Sequence, residues 1–168
     1  MYMNANDMLT KNFRLGEFER SLTASLKGYD NTVPPMAVYA LRHLCELFLQ
    51  PLRDMLAAPV IITSGYRCRD LNREVGGSDT SWHLTGCAAD FHPSDDALRP
   101  AVIQFVKDWK ERGDAWRRNH DEHDEPAVQF TEFIVYPTFF HVAVAPEGTA
   151  NKFTLKYFNG FGQGYKKD

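Results

Sequence analysis

The sequence predicts a single α+β domain built on a small, mainly antiparallel sheet with helices packed against it. Apolar residues recur at helical spacing after Pro34-Pro35 and again after Ser94, and short β-branched or aromatic runs stand at residues 60–63, 87–91, 128–136 and 139–144. No internal repeat or low-complexity linker divides the chain. At 168 residues, 43% of them apolar, it is long enough to bury one sizeable core.

The first 35 residues are polar and turn-rich, with Phe13, Leu15 and Phe18 as anchors, and are expected to form an arm packed on the domain. Pro34-Pro35 opens a long core helix whose stripe is Leu41, Leu44, Cys45, Phe48, Leu52 and Met55, bent near Pro51. Val60-Ile61-Ile62-Thr63 reads as a buried strand, followed by the turn Ser64-Gly65-Tyr66-Arg67 and a short helix over 69–75 that Gly76-Gly77 closes. After a polar loop, Cys87-Ala88-Ala89-Asp90-Phe91 reads as a central strand carrying a carboxylate. Ser94 is the expected cap of a helix with Asp95 and Asp96 in its first turn and Leu98, Val102, Phe105 and Trp109 on its core face. The last two strands flank Pro137-Thr138, which predicts a tight hairpin. Residues 153–157 read as an edge strand. The domain proper spans 36–157, and 158–168 form a flexible basic tail.

Charge narrows the function. Nineteen basic residues stand against 22 acidic ones, a net charge of −3 with no basic stripe, so no nucleic-acid partner is expected. No run approaches the roughly 20 apolar residues of a membrane helix, and the amino terminus lacks the basic start and apolar core of a secretory signal, which predicts neither membrane insertion nor export. Cys45, Cys68 and Cys87 are odd in number and form no C-x-x-C pair, so a disulfide framework is not expected.

Chemistry concentrates around one triplet. His83 and Asp90 lie on either side of a Gly86 turn, and His141 sits in the apolar run Phe139-Phe140-His141-Val142. An aspartate beside Ala88 and Ala89 is costly to bury unless it is paired, hydrogen-bonded or bound to a metal. Two histidines and a carboxylate form a common three-ligand set for catalytic zinc, although by spacing alone a strand histidine is more often an ordinary core residue.

The order Ser64-Gly65-Tyr66-Arg67, Asn72, Gly76-Gly77, Ser81-Trp82-His83-Leu84-Thr85-Gly86-Cys87-Ala88-Ala89-Asp90 and His141-Val142 resembles the zinc D,D-peptidase family of peptidoglycan enzymes. This is the peptidase M15 group of D-alanyl-D-alanine carboxypeptidases and phage endolysins, which shares its fold with the hedgehog signalling domain. The resemblance runs from about Phe13 to Val144 and implies one Zn²⁺ ion on His83, Asp90 and His141. It also implies that Arg67 contacts substrate and steadies developing negative charge, a role suited to a guanidinium; a structural salt bridge with Asp70 or Asp79 is the competing role. Ser81 is expected to orient the loop or substrate. Tyr66 and Trp82 are expected either to wall the groove or to pack in the core.

Relatives place a proton-transferring acid three or six residues before the last histidine, where this chain has Thr138 and Val135. Glu132 is the nearest substitute. A two-residue hairpin loop puts it on the His141 face, whereas a three-residue loop puts Val135 there and turns Glu132 away; the relatives with an acid at the Val135 position favour the second register. The segment 121–125 offers Glu122, Asp124 and Glu125, and His92 offers a proton shuttle, each with plain surface exposure as its alternative.

The expected function is hydrolysis of amide bonds in peptidoglycan stem or cross-link peptides by metal-activated water. A zinc-stabilised module that binds wall peptide or a protein partner without cutting it is the alternative. Action at the wall without an export signal is expected to involve release by a phage or prophage, or a leader trimmed from this chain.

Overall fold

The computed structural model describes residues 3–119, 130–144, 154–158 and 166–167. Its element order starts with two short helices, α1 (Leu15–Glu19) and α2 (Leu22–Lys27), in a stretch for which the sequence predicts only an anchored arm. Phe13, Leu15 and Phe18 are buried, and Leu9 joins them. The side chain of Ser21 caps α2, and Gly28 closes it in the left-handed conformation.

The long helix begins at Pro35 as expected. It runs as α3 (Pro35–Leu44), a π turn over Cys45–Leu49, and α4 (Gln50–Leu56). The expected bend at Pro51 takes the form of this wider turn: Gln50 N–H bonds back to the Cys45 carbonyl, and the chain meets a proline that has no N–H to give at the start of a new helical register. Leu41, Leu44, Cys45, Phe48 and Leu52 are buried, but Met55 is largely exposed, one turn past the core.

Six strands form one sheet in the order β1-β2-β4-β3-β5-β6. They are β1 (Val60–Ser64), β2 (Ala88–Pro93), β3 (Phe130–Val135), β4 (Phe140–Val144), β5 (Thr154–Tyr157) and β6 (Lys166–Lys167). Every pairing is antiparallel except β3 with β5. Two expectations change here. The first strand is an edge strand with Ile61 and Thr63 exposed, and β5 is covered on its outer side by β6. Helix α5 (Arg69–Glu74) follows β1, and α6 (Arg99–Asn119) follows β2. A 3₁₀ turn over Asp96–Leu98 precedes α6, capped by Asp95 rather than Ser94, because the Asp95 carboxylate accepts from the Ala97 N–H at 2.9 Å.

One face of the sheet carries Phe91, Phe133 and Phe140, which pack against one another, and Phe91 and Phe133 also meet Phe48 from the long helix. Val102 and Val106 of α6 complete that core. Strand alternation therefore sends Asp90 and His141, each next to a core phenylalanine, to the opposite face. Among the described residues no helix is long and apolar enough to cross a membrane.

Candidate metal centre

Asp90 and His141 are directly opposed across β2 and β4, so the sheet register alone brings them together. His141 Nδ1 lies 2.7 Å from Asp90 Oδ1. His83 arrives from a 3₁₀ turn over Trp82–Thr85, which Ser81 caps and which Gly86 ends at φ 74°. A side chain at Gly86 would also strike the Ala37 carbonyl of α3 at 2.6 Å, so the turn that delivers His83 needs glycine twice over. His83 Nε2 then stands 3.3 Å from the same Asp90 oxygen.

The Ser64-Gly65-Tyr66-Arg67 turn braces this loop. The Gly65 carbonyl lies 2.6 Å from His83 Nδ1, and Arg67 N–H donates to the His83 carbonyl at 3.1 Å. Gly65 itself abuts Phe18: a Cβ there would come within 2.6 Å of the Phe18 backbone. The arm thus packs against the site from behind. Asn31, which sequence reasoning did not single out, ties the two together, donating to the Glu19 and Tyr66 carbonyls and accepting from Cys68 N–H at 2.7 Å. Its only sequence signal is a polar residue between turn-formers.

The electrostatics leave a lone pair facing a carboxylate at the centre of the site. Since His83 Nδ1 faces a carbonyl, that nitrogen carries the ring proton, and the Nε2 lone pair points at a carboxylate oxygen. Burial pushes the His83 imidazole below its ordinary value, so a second ring proton is disfavoured despite the nearby Asp90. Burial would raise Asp90, but its bonds with His141 and His83 outweigh this and hold it well below the usual carboxylate range. For His141 burial is likewise outweighed, here by Asp90 and Glu132, and its imidazole lies above the ordinary value. A positive ion shared by His83 Nε2 and Asp90 Oδ1 would relieve the contact between these two electron-rich atoms. Among the described residues, His83, Asp90 and His141 form a buried set whose ligand atoms all lie within 4.8 Å of one another, and this set could hold a metal ion. Imidazole nitrogen and carboxylate oxygen are the donors zinc accepts.

Arg67 is placed differently from either salt bridge the sequence suggests. Its Nη2 donates to Asp90 Oδ2 at 2.7 Å and its Nε to Ser64 Oγ at 2.9 Å, while Asp70 pairs with Arg73. The favoured hairpin register is also overturned. Tyr136 N–H bonds to the Phe139 carbonyl, Ile134 pairs with His141, and Pro137-Thr138 is a two-residue loop. Glu132 therefore shares the His141 face, its Oε1 3.3 Å from His141 Nε2 and its Oε2 2.8 Å from Lys156 Nζ. The His141 bond, reinforced by Lys156, holds the Glu132 carboxyl down at about 2. Val135 pairs with Phe140 and packs against the core.

These groups open into a cleft of about 460 Å³, whose walls include Arg67, Ser81, Trp82, Glu132, Tyr136 and Phe139. Asp90 and Glu132 are the carboxylates among the described residues that line it. Tyr66 does not: it packs against the hydrophobic core. His92 also lies outside the cleft, with its Nδ1 against the Pro93 carbonyl. The segment 121–125 lies outside the described residues. All three cysteines are free, and Cys87 is buried away from the ligand set.

Fold and site together define an α+β domain with a buried donor set at the floor of a cleft. The family model for peptidase M15 matches residues 11–123, more than half of the chain, and the chain belongs to the peptidase M15 family. No curated protein matches it. The matched stretch carries Arg67, His83 and Asp90, whereas Glu132, His141 and Lys156 lie beyond it and join the site through strand pairing.

Proposed function

We propose that this chain is a zinc metallopeptidase that hydrolyses amide bonds in the stem or cross-link peptides of peptidoglycan. The observation that carries this reading is the convergence of His83, Asp90 and His141 at the floor of an open cleft in a peptidase-family chain. When bound there, zinc would supply a Lewis acid for the scissile carbonyl and lower the pKa of water.

The chain's own residues do the rest. Arg67 holds Asp90 with one nitrogen and lines the cleft, where its guanidinium meets a substrate carboxylate or a developing oxyanion. Trp82 walls the groove, and Ser81 holds the His83 turn through the His83 N–H. Glu132 is the carboxylate in the cleft that is not a ligand candidate. Both of its oxygens are already engaged, one by His141 and the other by Lys156, which leaves it poorly placed to take a proton from water and points to slow turnover.

That same feature favours a second reading, a zinc-stabilised module that binds wall peptide or a protein partner without cutting it. Zinc stoichiometry and peptide release from purified cell wall decide between them. Release above a His83→Ala control is expected; intact, zinc-loaded protein with no release would leave only the binding module.

A further inference from the structure

A row of side chains crosses four neighbouring strands on the site face. Asp90 pairs with His141, His141 with Ile134, and Ile134 with Lys156. Glu132, two residues before Ile134 on the same strand, bridges the row: its Oε1 faces His141 Nε2 at 3.3 Å, and its Oε2 accepts from Lys156 Nζ at 2.8 Å. His141 Nδ1 points the other way, to Asp90 Oδ1.

We infer that Glu132 and Lys156 are positioning residues that present Nδ1 of His141 to a metal ion. This rests on the metal reading of the site. A histidine can offer Nδ1 as a ligand only with its proton on Nε2, and that proton needs an acceptor in a buried place. Glu132 Oε1 is placed to be that acceptor, and a carboxylate in this role makes the imidazole a better donor. His83 has its mirror-image anchor in the Gly65 carbonyl, so each imidazole has its far nitrogen fixed, one by backbone and one by a side chain. Lys156 holds the second oxygen of Glu132 and keeps the carboxylate turned toward His141. The parallel pairing of β5 with β3 sets the lysine there. Under this assignment Glu132 acts through His141 and takes no proton from water.

The test is zinc affinity of the full chain by competition with a chromophoric chelator, together with the cobalt(II) d–d spectrum. Glu132→Ala should weaken zinc binding by roughly 10- to 100-fold and shift the cobalt bands, with Lys156→Met weakening it less and Lys156→Arg restoring most of the loss. At saturating zinc, peptide release by Glu132→Ala should return to within about tenfold of the unaltered chain, whereas a general base would leave a deficit of roughly 10²–10⁴ at any zinc concentration. Unchanged affinity and spectrum in Glu132→Ala, or in Lys156→Met if the alanine variant does not fold, would overturn the positioning role alone. An unaltered chain that takes up neither zinc nor cobalt would overturn the metal reading with it.

Discussion

Arg67 grips Oδ2 of Asp90 at 2.7 Å and so turns Oδ1 of the same carboxylate toward the two histidines. The arginine thus shapes the ligand set before any substrate arrives. Both partners are largely shielded from solvent, which makes the bond stronger than a surface ion pair and its loss more costly.

Replacing Arg67 should therefore act twice. Arg67→Ala should lower the stability of the metal-free chain by about 1–3 kcal/mol, the cost of leaving a buried charged acceptor unpaired. It should also reduce peptide release at saturating zinc. Thermal melts with and without zinc, alongside release assays, check both; an Arg67→Ala chain as stable and active as the unaltered one would remove Arg67 from the site's design.

Metal should hold the fold together as well as do chemistry. At zinc 100-fold above its dissociation constant, linkage adds about 2.7 kcal/mol, and for a chain of this size chelation should lower the melting temperature by roughly 5–10 °C. The shift should vanish in His83→Ala. An unaltered chain whose melting ignores chelation would rule out a resident metal.

Protons should compete with that metal. His141, held above the ordinary imidazole value by Asp90 and Glu132 against the effect of burial, keeps its extra proton to higher pH than a free histidine, and that proton must leave before both nitrogens take up their roles. Zinc affinity should rise as pH increases from about 6 to about 8. In the metal-free chain His141 itself adds stability that is present at low pH and lost as pH rises through its raised value, and the carboxylates have the opposite sign. Glu132 and Asp90 are lowered, so they add stability above about pH 4 that is lost as pH falls, for Glu132 through about 2. Chelator titrations and melts across pH measure the two limbs separately.

The hairpin register decides where a new acid can work. Val135 lies on the core face opposite Phe140, so Val135→Glu should point its carboxylate away from the cleft, cost about 1–3 kcal/mol of packing and bring no hydrolysis. Thr138 is exposed at the hairpin turn beside Phe139, a wall of the cleft. Thr138→Glu should leave stability within about 0.5 kcal/mol and raise peptide release roughly tenfold or more. A gain from Val135→Glu would contradict the register.

The helices and most strands were legible because their signals are local: the stripe on the long helix, the β-branched run of β1, and the alternation around Phe140. What escaped was decided by neighbours distant in the chain. Ile61 is exposed because it lies beside His92 on the sheet face opposite the phenylalanine core, at the edge strand, and the short helices of the arm draw their stability from Phe13 and Phe18 packing rather than from a long periodic pattern. Tyr66, flanking the motif in sequence, packs half-buried against the core, whereas Trp82 reaches the cleft.

By itself the sequence determined which residues could carry the chemistry. His83, Asp90 and Arg67 stand in a local pattern of turn, glycine and strand whose spacing survives translation into structure, and His141 announces itself as a polar residue inside an apolar strand. Only the tertiary structure decided how they are joined. A strand's side chains alternate, so a one-residue slip at Pro137-Thr138 would have exchanged Glu132 for Val135 beside His141, and no local signal distinguishes the two registers. The pairing of β3 with both β4 and β5 settled it, bringing Glu132 to the site and, from a strand that carried no motif, Lys156.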